Sequence, residues 1–130
     1  AKKLVKKLIG MGKAILGARI LVMGMTFKEN VADIRNSKVV DIINELKDFG
    51  VEVDVVDPYA DPEEVKKMYG FRLIEKPLGN YDAVVVAVAH DAYQGLDEKY
   101  FKSLTCDKAV LVDVKGMYRD KIHVLKYWSL

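Results

Sequence analysis

The sequence contains a single cysteine, Cys106, so an intrachain disulfide is excluded. It also shows no secretory signal, and together these features favour a reducing, cytoplasmic environment. Its longest apolar runs have the length of a β-strand, well short of the roughly 20 residues that a membrane-spanning helix needs. We therefore expect a cytoplasmic protein that does not interact with a membrane.

An excess of one charge is also missing. The 21 basic and 19 acidic residues leave a formal charge of only +2, which gives no argument for a nucleic-acid partner. His90 and His123 lie far apart, and no cluster of histidines or cysteines has the spacing of a metal site. Neither GxGxxG nor GxxxxGK[ST] occurs, so the usual dinucleotide and P-loop fingerprints are absent.

What the sequence does contain is a regular alternation of apolar runs and amphipathic segments. The runs at 18–25, 51–58, 71–75, 81–90 and 108–116 predict strands, and 81–90, the most apolar, predicts a central one. Amphipathic or capped segments at 37–50, 61–70 and 97–104 predict helices between them. Continuous apolar strands are typical of a parallel sheet that is covered on both faces. We predict a single doubly wound α/β domain, Rossmann-like, with five main strands in the order 3-2-1-4-5.

The two ends of the chain carry shorter apolar segments. "KKLVKKLIGMG" at 2–12 places Leu4, Val5, Leu8 and Ile9 on one side of a helix and lysines on the other. Such a helix suits packing on another domain or subunit better than a membrane surface, because two turns are short for membrane binding. The closing "HVLKYWSL" at 123–130 is predicted to fold back onto the domain. Because the chain begins with alanine inside a helical pattern, we expect it to be part of a longer protein.

The segment "GMTFKENVADIRNS", at 24–37, is a long connection between a predicted strand and a predicted helix. In an open α/β sheet, ligands bind beyond the carboxyl ends of the strands, where the strand order reverses. Lys28, Arg35 and Lys115 are predicted to converge there beside the helix start at Ser37, a place that favours anions. With Phe27 as an apolar neighbour, the pattern indicates a nucleotide site. The alternative is that Lys28 and Arg35 only pair with acids of the same loop.

Three further residues have a functional and an ordinary interpretation. Asp57 ends the second strand where a ribose-binding acid would lie, but "DP" also stops a strand and begins a turn, which we favour. His90 is closer to a loop histidine bonded to its neighbours than to a ligand-binding group. Cys106 precedes the last strand, at the opposite end from the predicted site, and is better explained as a buried or idle thiol.

The same loop resembles the segment that opens the C-terminal domain of the UDP-glucose/GDP-mannose dehydrogenase family. Gly24, Phe27, Lys28, Asp33, Arg35 and Ser37 all match its pattern. "VVDPYAD" and "YDAVVVAVAHDAY" resemble later segments of that domain, so the resemblance covers nearly the whole chain.

The resemblance implies a C-terminal UDP-binding domain, 17–130, preceded at 1–16 by the end of the central linking and dimerisation helix. Members oxidise C6 of a UDP-sugar twice, with NAD held by an N-terminal domain and a catalytic cysteine that this chain lacks. Phe27, Lys28 and Lys115 would contact the UDP-sugar, and Arg35 would reach NAD across the interdomain cleft. The full-length enzyme would form a homodimer or higher oligomer, and this chain alone would be inactive.

The resemblance also bears on the sugar. Asp113-Val114-Lys115 stands where most members have Asp-Gly-Arg, and it is closer to the branch acting on UDP-N-acetyl-D-mannosamine. "YWSL" at the end of the chain points the same way. UDP-glucose remains an alternative substrate. Two alternative functions also remain, a stand-alone nucleotide-binding module and a receiver-like domain. A receiver-like domain needs clustered acids after the first strand.

Overall fold

The computed structural model describes residues 2–129. Within this part of the chain, five strands form one parallel sheet in the order β2-β1-β3-β4-β5. Their bounds are β1 Arg19–Met23, β2 Glu52–Val56, β3 Tyr81–Val86, β4 Thr105–Asp113 and β5 Lys126–Ser129. The doubly wound, Rossmann-like α/β fold is confirmed, and the most apolar run forms the central strand β3.

The strand order differs slightly from the prediction at the two edges. "FRLIE" at 71–75 is not a strand, although the N–H of Ile74 donates to the carbonyl of Val55 at 3.0 Å. The C-terminal tail supplies the fifth strand instead, pairing β5 with β4 from Val110↔Lys126 to Asp113↔Ser129. In a short edge segment, the apolar pattern is too brief to predict whether the backbone pairs with a neighbouring strand. That pairing depends on the tertiary structure.

Alternation along the strands divides the core into two clusters, because successive side chains point to opposite faces. In β1, Ile20 and Val22 face the cluster that includes residues of α1 (Lys2–Gly10), α2 (Lys38–Asp48) and α3 (Pro62–Tyr69). Leu21 and Met23 face the other cluster, which includes residues of the 3-10 turn Asp91–Tyr93 and of α4 (Glu98–Leu104). The sheet is therefore buried on both sides, as its continuous apolar strands predict.

The helices begin where the sequence supplies caps. The carboxylate of Asp61 accepts the N–H of Glu63 at 2.9 Å with Pro62 at the first turn of α3, and that of Asp97 accepts the N–H of Tyr100 at the start of α4. Ser37 occupies the cap position of α2 but makes no capping bond. Its hydroxyl instead donates to the carbonyl of Met25 at 2.6 Å, which ties the two ends of the long loop together.

Helix α1 packs on this chain's own sheet. Leu4, Val5 and Leu8 are buried in the first cluster, while Ile9 is 58% exposed. The prediction that this apolar side packs on another domain or subunit is therefore wrong for these three residues, because the adjoining sheet face needs a cover. The division into 1–16 and 17–130 stays a prediction, and its outer ends, Ala1 and Leu130, lie outside the described residues.

Two features are absent from residues 2–129. No helix within residues 2–129 is long and apolar enough to cross a membrane. Over the same residues, no group of three or more histidine, cysteine, aspartate or glutamate side chains is arranged to hold a metal ion.

Candidate functional site

A cavity of about 370 Å³ opens at the carboxyl ends of β1, β3 and β4. This is where the strand order reverses, since the connection after β1 leads to β2 on one side and the next one crosses to β3 on the other. The cavity lies within the size range of small-ligand pockets. It is lined by Thr26, Phe27, Lys28, Glu29, Asn36, Lys38, Val39, Ile42, Ala87, Val88, Val114 and Lys115.

Three lysines surround this cavity. Lys28 comes from the loop after β1, Lys115 from the turn after β4, and Lys38 from the first turn of α2. All three are exposed, and none forms an ion pair with a carboxylate in the part of the chain that the structure describes. The amino end of an 11-residue helix adds partial positive charge beside them. The cavity thus offers unneutralised cations to an anionic ligand.

Most of the remaining wall is apolar, although Thr26, Glu29 and Asn36 also line the cavity. Phe27 is 54% exposed although it is a large aromatic residue. Val39 and Ile42 of α2, with Val88 and Val114 beyond the strand ends, belong to this apolar part. An aromatic ring and aliphatic side chains next to fixed cations suit a ligand that has both a planar or sugar part and a phosphate part.

Arg35 does not line this cavity. Its Nε and Nη2 bond the two carboxylate oxygens of Asp33, each at 3.1 Å, on a separate surface depression that includes Glu64 and Met68. The hydrogen bond from the Arg35 side chain holds the pKa of Asp33 below its usual value. The prediction that Arg35 converges with Lys28 and Lys115 is therefore corrected, because the loop turns Arg35 outward. Its predicted role toward a second domain stays a prediction.

Lys38 was not included among the cations expected from the sequence at this edge of the sheet, although Arg35 and the helix start at Ser37 were. Its position in the sequence could have predicted this, because the first residue of the helix that follows β1 lies at the same edge of the sheet as the end of β1. Lys38 therefore takes the place that Arg35 was expected to fill.

Asp57 organises the loop ends behind the cavity. One carboxylate oxygen accepts the N–H groups of Met25 at 2.7 Å and Thr26 at 3.3 Å, and the other accepts those of Tyr59 at 2.7 Å and Ala60 at 3.0 Å. Burial disfavours its charge, but the bonds from Met25, His90 and Tyr59 outweigh burial and lower its pKa. The turn-forming interpretation of Asp57 is confirmed.

His90 is fully buried beside Asp57. Its Nε2 lies 2.9 Å from a carboxylate oxygen of Asp57, and its Nδ1 accepts the N–H of Asn30 at 2.9 Å. His90 is not among the residues that line the cavity. The interpretation of His90 as a histidine bonded to its neighbours is confirmed.

Cys106 lies at the opposite end of β4 from the cavity, as predicted. Its thiol is partly exposed, 3.0 Å from the ammonium of Lys13 and 3.4 Å from the carboxylate of Asp82. It is therefore not buried, and its neighbours belong to the polar cluster that joins the amino ends of β3 and β4.

Tyr93 presents a buried polar atom with no use in the fold. Its side chain is 6% exposed, and its hydroxyl has no hydrogen-bond partner among residues 2–129. We expect Tyr93→Phe to raise the free energy of unfolding by about 1 kcal/mol, because an unsatisfied buried hydroxyl costs folding free energy. Urea denaturation checks this. Tyr118→Phe is the matched control, since the Tyr118 hydroxyl donates to the Tyr93 carbonyl at 2.6 Å and its removal should lower stability.

Comparison with known proteins agrees with this architecture. A UDP-N-acetyl-D-glucosamine 6-dehydrogenase of Salmonella typhi is 37% identical over 116 residues, covering 88% of this chain and 27% of that protein. A protein of the same name from Pseudomonas aeruginosa is 40% identical over 114 residues, covering 87% of this chain and 27% of the relative. The chain thus spans just over a quarter of the length of these curated relatives.

Solved structures show the same fold. An NDP-N-acetyl-D-galactosaminuronic acid dehydrogenase from Methanosarcina mazei Go1 superposes with a TM-score of 0.85 at 23% identity, covering 97% of this chain and 27% of that one. Residues 21–120 match the UDP-glucose/GDP-mannose dehydrogenase family, UDP binding domain. This match excludes the receiver-like alternative, although receiver domains share the strand order seen here. The chain therefore belongs to the UDP-glucose/GDP-mannose dehydrogenase family, as its C-terminal, UDP-binding domain.

Proposed function

We propose that the cavity binds the UDP part of a UDP-N-acetylhexosamine, and that the parent enzyme oxidises C6 of this sugar with NAD. The observation that carries the proposal is the grouping of Phe27 with Lys28, Lys38 and Lys115 around one cavity at the start of α2. The lysines hold the diphosphate, and Phe27 packs on the base or a sugar ring.

The turn that carries Lys115 is shaped by a buried carboxylate two residues earlier. Asp113 is fully buried and accepts the N–H groups of Met117 at 3.0 Å and Tyr118 at 2.7 Å, together with the hydroxyl of Tyr127. These bonds shape the turn after β4 and place Lys115 at the cavity. In the Asp-Val-Lys segment, the aspartate therefore sets the turn and the lysine serves the ligand. A lysine offers a point charge where the family's usual arginine offers a planar fork, so its contact with substrate differs in geometry.

This domain contributes orientation and electrostatic stabilisation, since three lysines around one cavity bring positive charge to the diphosphate. The hydride transfers belong to NAD, which the N-terminal domain of the parent enzyme would hold. The catalytic cysteine would also lie in that part, so this chain alone is inactive. Arg35 would face the N-terminal domain and NAD, a role that suits its outward position and its 74% exposed side chain. The parent enzyme would assemble as a homodimer or higher oligomer.

The identity of the sugar rests on two lines of support that diverge. The Asp113-Val114-Lys115 segment resembles the branch acting on UDP-N-acetyl-D-mannosamine, and several relatives at 26% to 32% identity carry that name. The relatives at 37% and 40% identity are named for UDP-N-acetyl-D-glucosamine. We propose UDP-N-acetyl-D-mannosamine as the substrate. Oxidation of the gluco epimer and not of the manno epimer by the parent enzyme would overturn that assignment.

Removing the Lys28 ammonium should weaken UDP binding. A charge-assisted hydrogen bond contributes about 1.5–3 kcal/mol, so we expect Lys28→Ala to raise the Kd for UDP by roughly 10- to 150-fold. Calorimetric titration of the chain measures this. Lys99→Ala, which removes an exposed lysine of α4 away from the cavity, is the matched control and should leave the Kd unchanged. Equal affinity in the wild type and Lys28→Ala would contradict the proposal.

A further inference from the structure

We propose that His90 and Asn30 form a clamp that positions the Phe27–Lys28 part of the loop for the nucleotide. The clamp consists of two reciprocal hydrogen bonds between the loop after β1 and the turn after β3. The inference rests on the proposed function of this loop, and it assigns His90 as a positioning residue that does not touch the ligand.

The two bonds run in opposite directions. The backbone N–H of Asn30 donates to Nδ1 of His90 at 2.9 Å, and the backbone N–H of Asp91 donates to the Asn30 side-chain oxygen at 2.8 Å. The two segments are 60 residues apart in sequence. Asn30 has a φ of 62°, a left-handed conformation that asparagine tolerates better than most residues. The geometry thus joins an exposed loop to a buried side chain at a single residue.

The protonation of the histidine follows from its partners. A backbone N–H can only donate, so Nδ1 must accept and carries no proton. The ring proton therefore lies on Nε2, where it is directed to Asp57 at 2.9 Å and to the hydroxyl of Thr26 at 3.3 Å. Asp57 thus selects the tautomer whose other nitrogen is free to accept from the loop, in the way that a partner on one ring nitrogen sets the role of the other.

The clamp reaches Lys28 from both sides along the chain. On one side, the Thr26 hydroxyl, which contacts His90, donates to the carbonyl of Lys28 at 2.9 Å. On the other side, Asn30 is bonded directly to the ring. The residues between these anchors are exposed, whereas Thr26 and His90 are buried. The position of the Lys28 backbone is therefore set from beneath the loop.

Neighbouring rings hold the imidazole in place. The ring of Tyr59 lies 4.7 Å from it and that of Tyr93 lies 5.5 Å away, centroid to centroid. These contacts and the hydrogen bonds at both ring nitrogens restrict the imidazole. His90 therefore gives the loop a buried acceptor in a defined position.

Two substitutions separate the two nitrogens of His90. The Gln amide nitrogen can stand in for Nε2 as a donor to Asp57, but Gln offers no acceptor at the Nδ1 position. The Asn oxygen can replace Nδ1 as the acceptor, but Asn does not reach Asp57. We expect His90→Gln to raise the Kd for UDP by about tenfold, since one hydrogen bond changes affinity by roughly this factor. We expect the Kd of His90→Asn to stay close to that of the wild type.

Two more variants guard against a general folding defect. Asn30→Gly keeps the left-handed backbone and removes only the bond to Asp91, so it should raise the Kd by about fivefold without lowering stability by more than the loss of one bond. Gly70→Ala strains the backbone at the end of α3, away from the clamp, so it should lower stability and leave the Kd for UDP unchanged.

Amide hydrogen exchange measured by NMR on the ligand-free chain gives a second readout. In His90→Gln, the amides of Phe27 and Asn30 should exchange about tenfold faster or more, whereas amides of β1 and β3 should keep their wild-type protection. Unchanged exchange at Asn30 in His90→Gln would overturn the clamp. Equal Kd values for UDP in His90→Gln and the wild type would also overturn it, where the wild type binds UDP. If the wild type fails to bind UDP, the proposed function of the isolated chain fails, and the exchange data alone then decide the clamp.

Discussion

Asp57→Asn should lower the free energy of unfolding by about 1.5–3 kcal/mol, the usual contribution of hydrogen bonds to a charged group. The carboxylate accepts four backbone N–H groups and faces Nε2–H of His90, so all its neighbours are donors. An amide turns two of its own hydrogens toward this set, and at least one buried donor loses its acceptor. Urea denaturation at neutral pH measures the loss.

Asp61→Asn is the matched control for this substitution. Asp61 is an exposed cap of α3 that accepts one backbone N–H, and asparagine caps helices about as well as aspartate does. Its stability should therefore change by less than about 0.5 kcal/mol. A loss at Asp57 no larger than that at Asp61 would show that the buried carboxylate does not organise the loops.

The same carboxylate predicts a dependence on pH. Its folded-state pKa lies below its ordinary value of 3.8, so its contribution is fully present above that value and disappears as pH falls through the folded-state pKa. We expect the stability difference between the wild type and Asp57→Asn to be constant from about pH 7 to about pH 5 and to shrink below about pH 4. A difference that persists unchanged in acid would contradict this account.

Gly24→Ala should cost about 2–5 kcal/mol of stability through two separate effects. Gly24 has a φ of 89°, where an L side chain is strained. A Cβ placed there would also lie 2.7 Å from Cβ of Val88 and 3.0 Å from its backbone nitrogen. Since Val88 lines the cavity at the end of β3, the variant must also move the loop that carries Phe27 and Lys28. Thermal and urea unfolding measure the first effect, and UDP titration measures the second.

Gly70→Ala isolates the backbone strain. Gly70 has a φ of 81° at the end of α3, and a Cβ there would meet nothing within 4 Å. It should lose only about 1–2 kcal/mol, with no change in UDP affinity. If the two glycine variants were equally destabilised, the contact with Val88 would not be the reason for glycine at position 24.

The sequence by itself determined the fold class and the edge of the sheet at which the candidate cavity lies. Continuous apolar runs such as 81–90 are typical of strands in a parallel sheet that is buried on both faces, and the carboxyl ends of such strands share one edge. Phe27, Lys28 and Lys115 follow two of those ends, so local order along the chain was enough to bring them together. Asp57 was likewise placed in its turn, because proline stops a strand and the aspartate side chain bonds backbone N–H groups of the residues that follow it.

Only the tertiary structure decided which cations share the cavity and what holds them there. Arg35 and Lys38 are three residues apart, and the direction in which each side chain points depends on how the loop closes through Ser37 and Met25. The clamp from His90 to Asn30 joins segments 60 residues apart, and sequence spacing carries no information about such a contact. Edge strand β5 also depends on tertiary structure, because its four residues form a strand by pairing with β4.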